Sequence, residues 1–261
     1  MKRIIFPLLI VFAAFGALPF SLTPCRAEKA AAIMVYSGAG MRKPMDAIGV
    51  AFQKQCGTAV HYNYAGSNAL LSQMQLTHQG DAYMPGATMY IDIACKKGLI
   101  SYKIPIAYHI PVITVPRGNP AGVEGLADLV RPDVKVISGD PQVAAIGKIG
   151  NKILTKNGLK KAFWSKDVDT TATMNELIIY IAMGQADAAI NWWDTVKAVD
   201  KIEVIQIPRE QNLIKVIPIG VTTFSRHPDT ARKFVDFCAS EKGKAIFRAH
   251  GFVPYPNPAY E

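Results

Sequence analysis

The fold is indicated by one stretch near the N-terminus, Val35-Tyr36-Ser37-Gly38-Ala39-Gly40-Met41-Arg42-Lys43-Pro44-Met45. An apolar strand runs here into an uncharged, glycine-rich turn and then directly into a helix. Such a turn leaves backbone N–H groups unpaired, with the positive end of the helix dipole behind them. The stretch therefore predicts an α/β fold in which a strand-to-helix turn is built to hold an anion.

Turns of the same kind recur along the chain. The second is Ala65-Gly66-Ser67-Asn68, in which Ser67 is predicted to cap the following helix; two more span residues 139–147 and 170–175. One glycine-rich turn is weak evidence for a ligand, but a series with the same polarity is stronger. Short apolar runs alternate with amphipathic helices between these turns, which predicts mostly parallel sheets flanked by helices.

Two longer apolar runs, residues 108–115 and 214–224, interrupt this alternation. We interpret them as crossover strands that form a hinge between two lobes. The predicted boundaries give lobe I residues 28–112 plus 219–261 and lobe II residues 113–218. This topology places a ligand cleft between the lobes, ringed by helix N-termini.

The first 27 residues have the features of an export signal. Lys2 and Arg3 precede an apolar run, and small residues follow it at the expected cleavage position. A membrane anchor is the alternative, but prolines interrupt the run and no later segment approaches the roughly 20 apolar residues needed to span a bilayer. Lipid attachment at Cys25 is disfavoured by Pro24. We therefore expect cleavage near residue 27 and a periplasmic mature protein.

The charge of the chain argues against nucleic-acid binding. Removal of the leader lowers the formal net charge from +9 to about +6, so the mature protein stays basic. Lys and Arg are scattered along the sequence, whereas a nucleic-acid binder concentrates them on one helix or stripe. The basic balance instead favours attraction of anionic solutes or of an anionic membrane surface.

The cysteines and histidines show no metal-binding pattern. Cys56, Cys95 and Cys238 remain after cleavage, and pairing of Cys56 with Cys95 or three inert thiols are both open. The five histidines never fall at ligand spacing. We therefore predict no metal site and no cofactor. No Ser/His/Asp or Cys/His arrangement lies at the turns, which argues against an enzyme.

In the order of its motifs, the chain resembles the periplasmic molybdate-binding proteins of ABC importers. The motifs are Ser37-Gly-Ala-Gly-Met-Arg-Lys-Pro-Met, Ala65-Gly-Ser-Asn, Gly80-Asp-Ala, Gly139-Asp-Pro, Thr173-Met-Asn-Glu-Leu, Gly184-Gln-Ala-Asp-Ala-Ala-Ile and the terminal helix ending in Gly251-Phe252. The resemblance implies a monomer whose two lobes close on one tetrahedral oxyanion, molybdate or tungstate. It also implies delivery of that ligand to an ABC permease in the inner membrane.

Carried over onto this sequence, the resemblance and the turns together predict the ligand contacts. They are Ser37, Gly38, Ala39, Gly40, Arg42, Ser67, Ile146, Met174, Asn175 and Trp192. The family's first-turn serine falls on Gly40, or on Ser37 with a gap, so one hydroxyl donor is moved or lost. The family's tyrosine falls on Trp192, where an indole N–H would replace a phenol.

Neutral donors at these turns suit a fully ionised oxyanion, which has only acceptors, and disfavour a protonated phosphate. Glu176 or Asp194, if either faced the cleft, would repel such an anion unless it accepted a proton from the ligand or joined its coordination shell. A second hypothesis is a receptor or surface protein of the same fold that binds a small organic anion, a carboxylate or a phosphorylated acid.

Overall fold

The computed structural model describes residues 32–197 and 199–260, so the predicted leader and Cys25 lie outside the described residues. The strands are β1 (Ile33–Gly38), β2 (Val60–Ala65), β3 (Ala82–Met84), β4 (Ile100–His109), β5 (Pro111–Pro116), β6 (Ile137–Gly139), β7 (Asp169–Thr171), β8 (Ala189–Trp192), β9 (Ile202–Gln206), β10 (Lys215–Thr222) and β11 (Val253–Pro254). The helices are α1 (Arg42–Cys56), α2 (Ser67–Thr77), α3 (Thr88–Lys96), α4 (Ala145–Lys156), α5 (Lys160–Trp164), α6 (Met174–Ala182), α7 (Trp193–Val196), α8 (Pro228–Ala239) and α9 (Glu241–Ala249).

The first lobe is built on a six-stranded sheet in the order β11-β4-β10-β3-β1-β2. Helix α1 packs on this sheet through Met45, Ile48 and Phe52, which are spaced for one helical face and are fully buried. The ring of Phe52 meets that of Phe234 on α8 edge to face, with 5.2 Å between centroids. Helix α1 ends at Gly57, whose positive φ of 72° closes its C-terminus.

The second lobe has two small sheets. Strands β8, β5 and β9 form a three-stranded antiparallel sheet, and β6 pairs with β7 in parallel. A parallel bridge between Val136 and Ala188 connects the two sheets. Helices α4 and α6 cover them and share a separate apolar core with residues such as Ile153 and Ile181.

The chain crosses between the lobes where the sequence predicts. A single residue, Ile110, separates β4 in the first sheet from β5 in the second, and β10 carries the chain back. The α/β class and the two-lobe arrangement are confirmed, but the sheets are mixed rather than mostly parallel. The reason is topological, because the returning strand β10 enters between β3 and β4 and runs antiparallel to both.

The described cysteines are unpaired. Cys56 is exposed at the end of α1, Cys95 is partly buried on α3, and Cys238 is buried on α8. Burial raises the pKa of the Cys238 thiol. None of the helices in the described ranges is long and apolar enough to cross a membrane.

Candidate functional site

A cavity of about 720 Å³ lies between the two lobes. Four segments line it: Ala39, Gly40, Arg42, Lys43 and Pro44 at the start of α1; Thr173, Met174 and Asn175 at the start of α6; Asp194, Thr195 and Lys197 in and after α7; and Ala249, His250, Gly251 and Phe252 at the end of α9. Two helices from different lobes therefore begin at the same cavity.

The first-lobe wall is the turn that follows β1. A single 3₁₀ turn, Ala39–Met41, joins the strand to Arg42, the first residue of α1. No side chain caps this helix start, and its first turn contains no acidic residue. A Cβ added to Gly40 would have no atom within 4 Å, so this position faces open space. The wall therefore presents backbone groups and the positive end of a 15-residue helix to the cavity.

Arg42 is one of two cations at this helix start, and its guanidinium packs on an aromatic ring. Its guanidinium carbon lies 4.1 Å from the ring centroid of Tyr64, a cation–π distance. The Tyr64 hydroxyl donates to Asp46 Oδ1 at 2.6 Å. Burial, followed by this hydrogen bond, raises the pKa of Tyr64, so the phenol stays neutral and keeps donating.

The second-lobe wall is the start of α6, and here the helix is capped. The Thr173 hydroxyl accepts from the amide of Glu176 at 3.3 Å. The Glu176 carboxylate accepts from the amides of Ala172 and Thr173 at 3.1 and 3.4 Å. This reciprocal capping box occupies Glu176, which does not line the cavity. Met174 and Asn175 line it instead, and amides in a first helical turn have no acceptor within the helix.

Asp194 lines the cavity, but its carboxylate is turned toward the crossover strand. Oδ1 lies 3.2 Å from Nε2 of His109, the last residue of β4, and the side chains of Asp194 and His109 are 3% and 10% exposed. Oδ2 accepts from the Thr195 hydroxyl at 3.1 Å. Trp192 stacks on the His109 ring with 3.8 Å between centroids. The pair thus joins a strand of the first lobe to the start of α7 in the second.

The turn after α9 closes the cavity and contacts α7 directly. Gly251 has a φ of +90°, and a Cβ there would lie 2.9 Å from the backbone oxygen of Asp194. Both the backbone conformation and the close approach require glycine at this position. His250, the preceding residue, lines the cavity beside it.

The structure brings five of the ten predicted site residues to the cavity wall: Ala39, Gly40, Arg42, Met174 and Asn175. The other five do not line it. They are Ser37 and Gly38 at the buried end of β1, Ser67 at the start of α2, Ile146 in the second core, and Trp192 under His109. The full ligand set stays a prediction.

The two predicted serine donors are not among the cavity-lining residues, and each hydroxyl has a backbone partner elsewhere. Ser37 is fully buried, and its hydroxyl donates to the backbone oxygen of Gly38 at 3.5 Å. Ser67 was predicted to be an N-cap, which is wrong: it is the first residue of α2, after Gly66, and no side chain caps this helix. Its hydroxyl instead accepts from the amide of Gly86 at 3.0 Å, because β3 and the following loop pass beside it.

The predicted contacts did not include the remaining wall residues, among them the polar side chains of Lys43, Thr173, Lys197 and His250. Thr173 carried a readable indication, since a threonine three residues before Glu176 is the capping-box pattern. Lys197 and His250 lie on short segments that only the tertiary fold brings together. Among the described residues, no group of three His, Cys, Asp or Glu could hold a metal ion.

The chain is similar to proteins of known class. A profile of the family described as "Bacterial extracellular solute-binding protein" matches residues 33–253. The molybdate-binding protein ModA of Mycobacterium tuberculosis is 27% identical over 229 residues, which cover 87% of this chain and 86% of that protein.

Two solved structures share the fold. The substrate-binding domain of a molybdenum ABC transporter from Clostridium difficile has a TM-score of 0.76 and 21% identity, covering 87% of this chain and all of that one. L-phospholactate-bound PEB3, a protein of Campylobacter jejuni, has a TM-score of 0.67 and 17% identity, covering 85% of this chain and 99% of its own.

Proposed function

The chain belongs to the bacterial extracellular solute-binding proteins, and from that premise we propose that it captures a tetrahedral oxyanion, molybdate or tungstate, between its two lobes. One observation carries the proposal: the uncapped start of α1 and the start of α6, from different lobes, line the same cavity. Helix N-termini attract anions through their dipoles and through amides that have no acceptor in the helix.

The charges around the cavity support an anionic ligand. Arg42, Lys43 and Lys197 line it, and Asp194 is the acidic residue among its lining groups. Glu176, which could have repelled an anion, is engaged in the cap of α6. A fully ionised oxyanion needs donors and no acceptor, so a site of amides and cations favours it over a protonated phosphate.

The relatives give the proposal its ligand and its context. The mycobacterial relative is named for molybdate, and the clostridial structural neighbour belongs to a molybdenum ABC transporter. We accordingly propose that this protein works in the periplasm as a monomer, reached through the export signal of residues 1–27. It would pass its ligand to an ABC permease. The proposed lobe boundaries at residues 112 and 218 fall inside the crossover strands β5 and β10, shortly after the chain enters each sheet.

Calorimetric titration of the mature protein tests the ligand. Molybdate and tungstate should release or absorb heat at a stoichiometry of about one per chain and should raise Tm, because a ligand that binds only the folded state stabilises it. Sulfate, which is fully ionised but smaller than molybdate, and phosphate, which carries a proton near neutral pH, serve as controls. Heat from neither molybdate nor tungstate would remove the oxyanion proposal.

A small organic anion is a second candidate, and the size of the cavity favours it. A volume of about 720 Å³ exceeds what four oxygens around one atom fill, even though lobe closure would reduce it. PEB3 shares the fold at low identity and is solved with L-phospholactate, a phosphorylated acid. Citrate and a phosphorylated hydroxyacid are therefore titrated in parallel, and heat from these alone would identify the organic anion as the ligand.

A further inference from the structure

The His109–Asp194 pair places a buried carboxylate directly behind an anion cavity. Asp194 Oδ1 has less than 1 Å² exposed and, within the described ranges, makes no hydrogen bond. Its near neighbour is Nε2 of His109 at 3.2 Å, a distance that suits an ion pair if the imidazole carries a proton. A carboxylate buried in this way is costly unless a positive partner compensates it.

The groups around His109 determine what can compensate the negative charge of the Asp194 carboxylate. Trp192 covers one face of the imidazole, and the ring of Phe252 lies 6.1 Å away; both are uncharged. On β10, Lys215 is paired in register with His109, and burial together with nearby Lys152 lowers the pKa of Lys215. His250 and the cations Lys197, Arg42 and Lys43 line the same cavity as Asp194. Of these groups, the His109 imidazole is the one within ion-pair distance of the carboxylate.

The protonation of His109 therefore changes the charge behind the ligand. With a neutral imidazole, the pair carries one negative charge next to the cavity and repels an anion. With a protonated imidazole, the pair has no net charge and that repulsion disappears. Histidine is the side chain that makes this change near neutral pH.

We propose that the anion binds together with one proton, taken from solvent and held on Nε2 of His109 against Asp194. This inference rests on the proposed capture of an oxyanion and adds the residue pair that adjusts the cavity to its charge. Linkage makes the effect reciprocal: the bound anion favours the protonated imidazole, and the protonated imidazole favours the anion.

Calorimetry on the wild-type protein is the first test. Molybdate stays fully ionised between about pH 6 and pH 8, the range in which histidine titrates. We expect tighter binding at the lower pH, by up to about tenfold per pH unit, and uptake of up to one proton in buffers of different ionisation enthalpy. Binding with the same affinity at both pH values overturns this inference but leaves oxyanion capture intact.

Variants then identify the residues that are responsible for the proton uptake. Asp194→Asn should abolish proton uptake and bind more tightly than wild type at about pH 8, because the repelling charge is gone. His109→Gln should bind weakly at both pH values, and the double variant should recover affinity, which a merely structural role of His109 would not produce. His250→Gln, the matched change of the other cavity histidine, should keep the pH dependence. Proton uptake that persists in Asp194→Asn or disappears in His250→Gln contradicts the assignment.

A measurement without ligand tests whether His109 and Asp194 form an ion pair, even if no oxyanion binds. Urea unfolding of wild type, His109→Gln, Asp194→Asn and the double variant gives the coupling between the two side chains. The ion pair exists only while the imidazole holds its proton, so the coupling measured at two pH values should be larger at the lower one. Equal coupling at both values overturns the proposal.

Discussion

The start of α1 and the start of α6 line the same cavity but satisfy their backbone groups in different ways. Helix α1 begins after a glycine-containing 3₁₀ turn with no side-chain cap and with Arg42 and Lys43 in its first turn. Helix α6 begins with a complete capping box between Thr173 and Glu176. The start of α1 thus leaves the positive end of its helix beside two cations, whereas the start of α6 has backbone amides bonded to its own side chains.

The comparison suggests a division of tasks. The first-lobe wall provides the cations Arg42 and Lys43 and the positive end of α1, which attract an anion, and the second-lobe wall provides a preformed surface that meets the anion when the lobes close. Removing the attraction should therefore cost affinity, whereas removing the cap should cost stability.

The largest effect on ligand affinity is expected from a substitution in the first-lobe wall. Arg42→Ala should weaken binding of molybdate or tungstate by about 1.5–3 kcal/mol, the value typical of hydrogen bonds to charged groups. Lys54→Ala, at the opposite end of α1, is the matched control and should bind normally. Titration calorimetry compares the two. If they bind equally well, Arg42 is a solvated residue of the first turn.

An intermediate effect is expected from the second wall. Thr173→Ala removes the hydroxyl that accepts from the Glu176 amide and so caps α6. The free energy of unfolding should fall by about 1 kcal/mol. Thr173→Ser keeps the cap and should stay near wild type. Urea unfolding measures both. A fall in affinity without a fall in stability would reverse the roles of the two walls.

The smallest expected effect is a gain in affinity for the oxyanion. Gly40→Ser adds a hydroxyl where a side chain meets no atom within 4 Å, and should tighten oxyanion binding by about 0.5–1 kcal/mol. Gly40→Ala fills the same space without a donor and is the control. Calorimetry should show a gain for serine alone. A similar change with both residues would mean that volume, not the hydroxyl, matters there.

The parts of the fold and site that the sequence predicts are those encoded locally. The turn at Gly40, the turn that leads into α6 and the crossover strands all follow from patterns within short windows, although α6 begins at Met174, two residues before the predicted start at Glu176. The mixed sheet does not, because the position of β10 depends on where the chain returns from the second lobe.

The same limit explains the wrong cap at Ser67 and the stacked position of Trp192, which the sequence does not indicate. Ser67 has the residue type of a cap, but its hydroxyl oxygen accepts from the amide of Gly86, 19 positions further along the chain. Trp192 has the position of a ligand donor, but His109, from the crossover strand, covers its ring. Residues whose role is decided by a distant segment need the tertiary structure to be assigned.

The distribution of thiols has a practical consequence. Cys56 is exposed on the first lobe, whereas Cys238 is buried there with a raised pKa, and the sequence contains no cysteine between residues 96 and 237. A maleimide dye should therefore react first at Cys56, and replacing the partly buried Cys95 would make the labelling unique. One cysteine introduced on the second lobe then completes a donor–acceptor pair, which would report the approach of the lobes by energy transfer in real time.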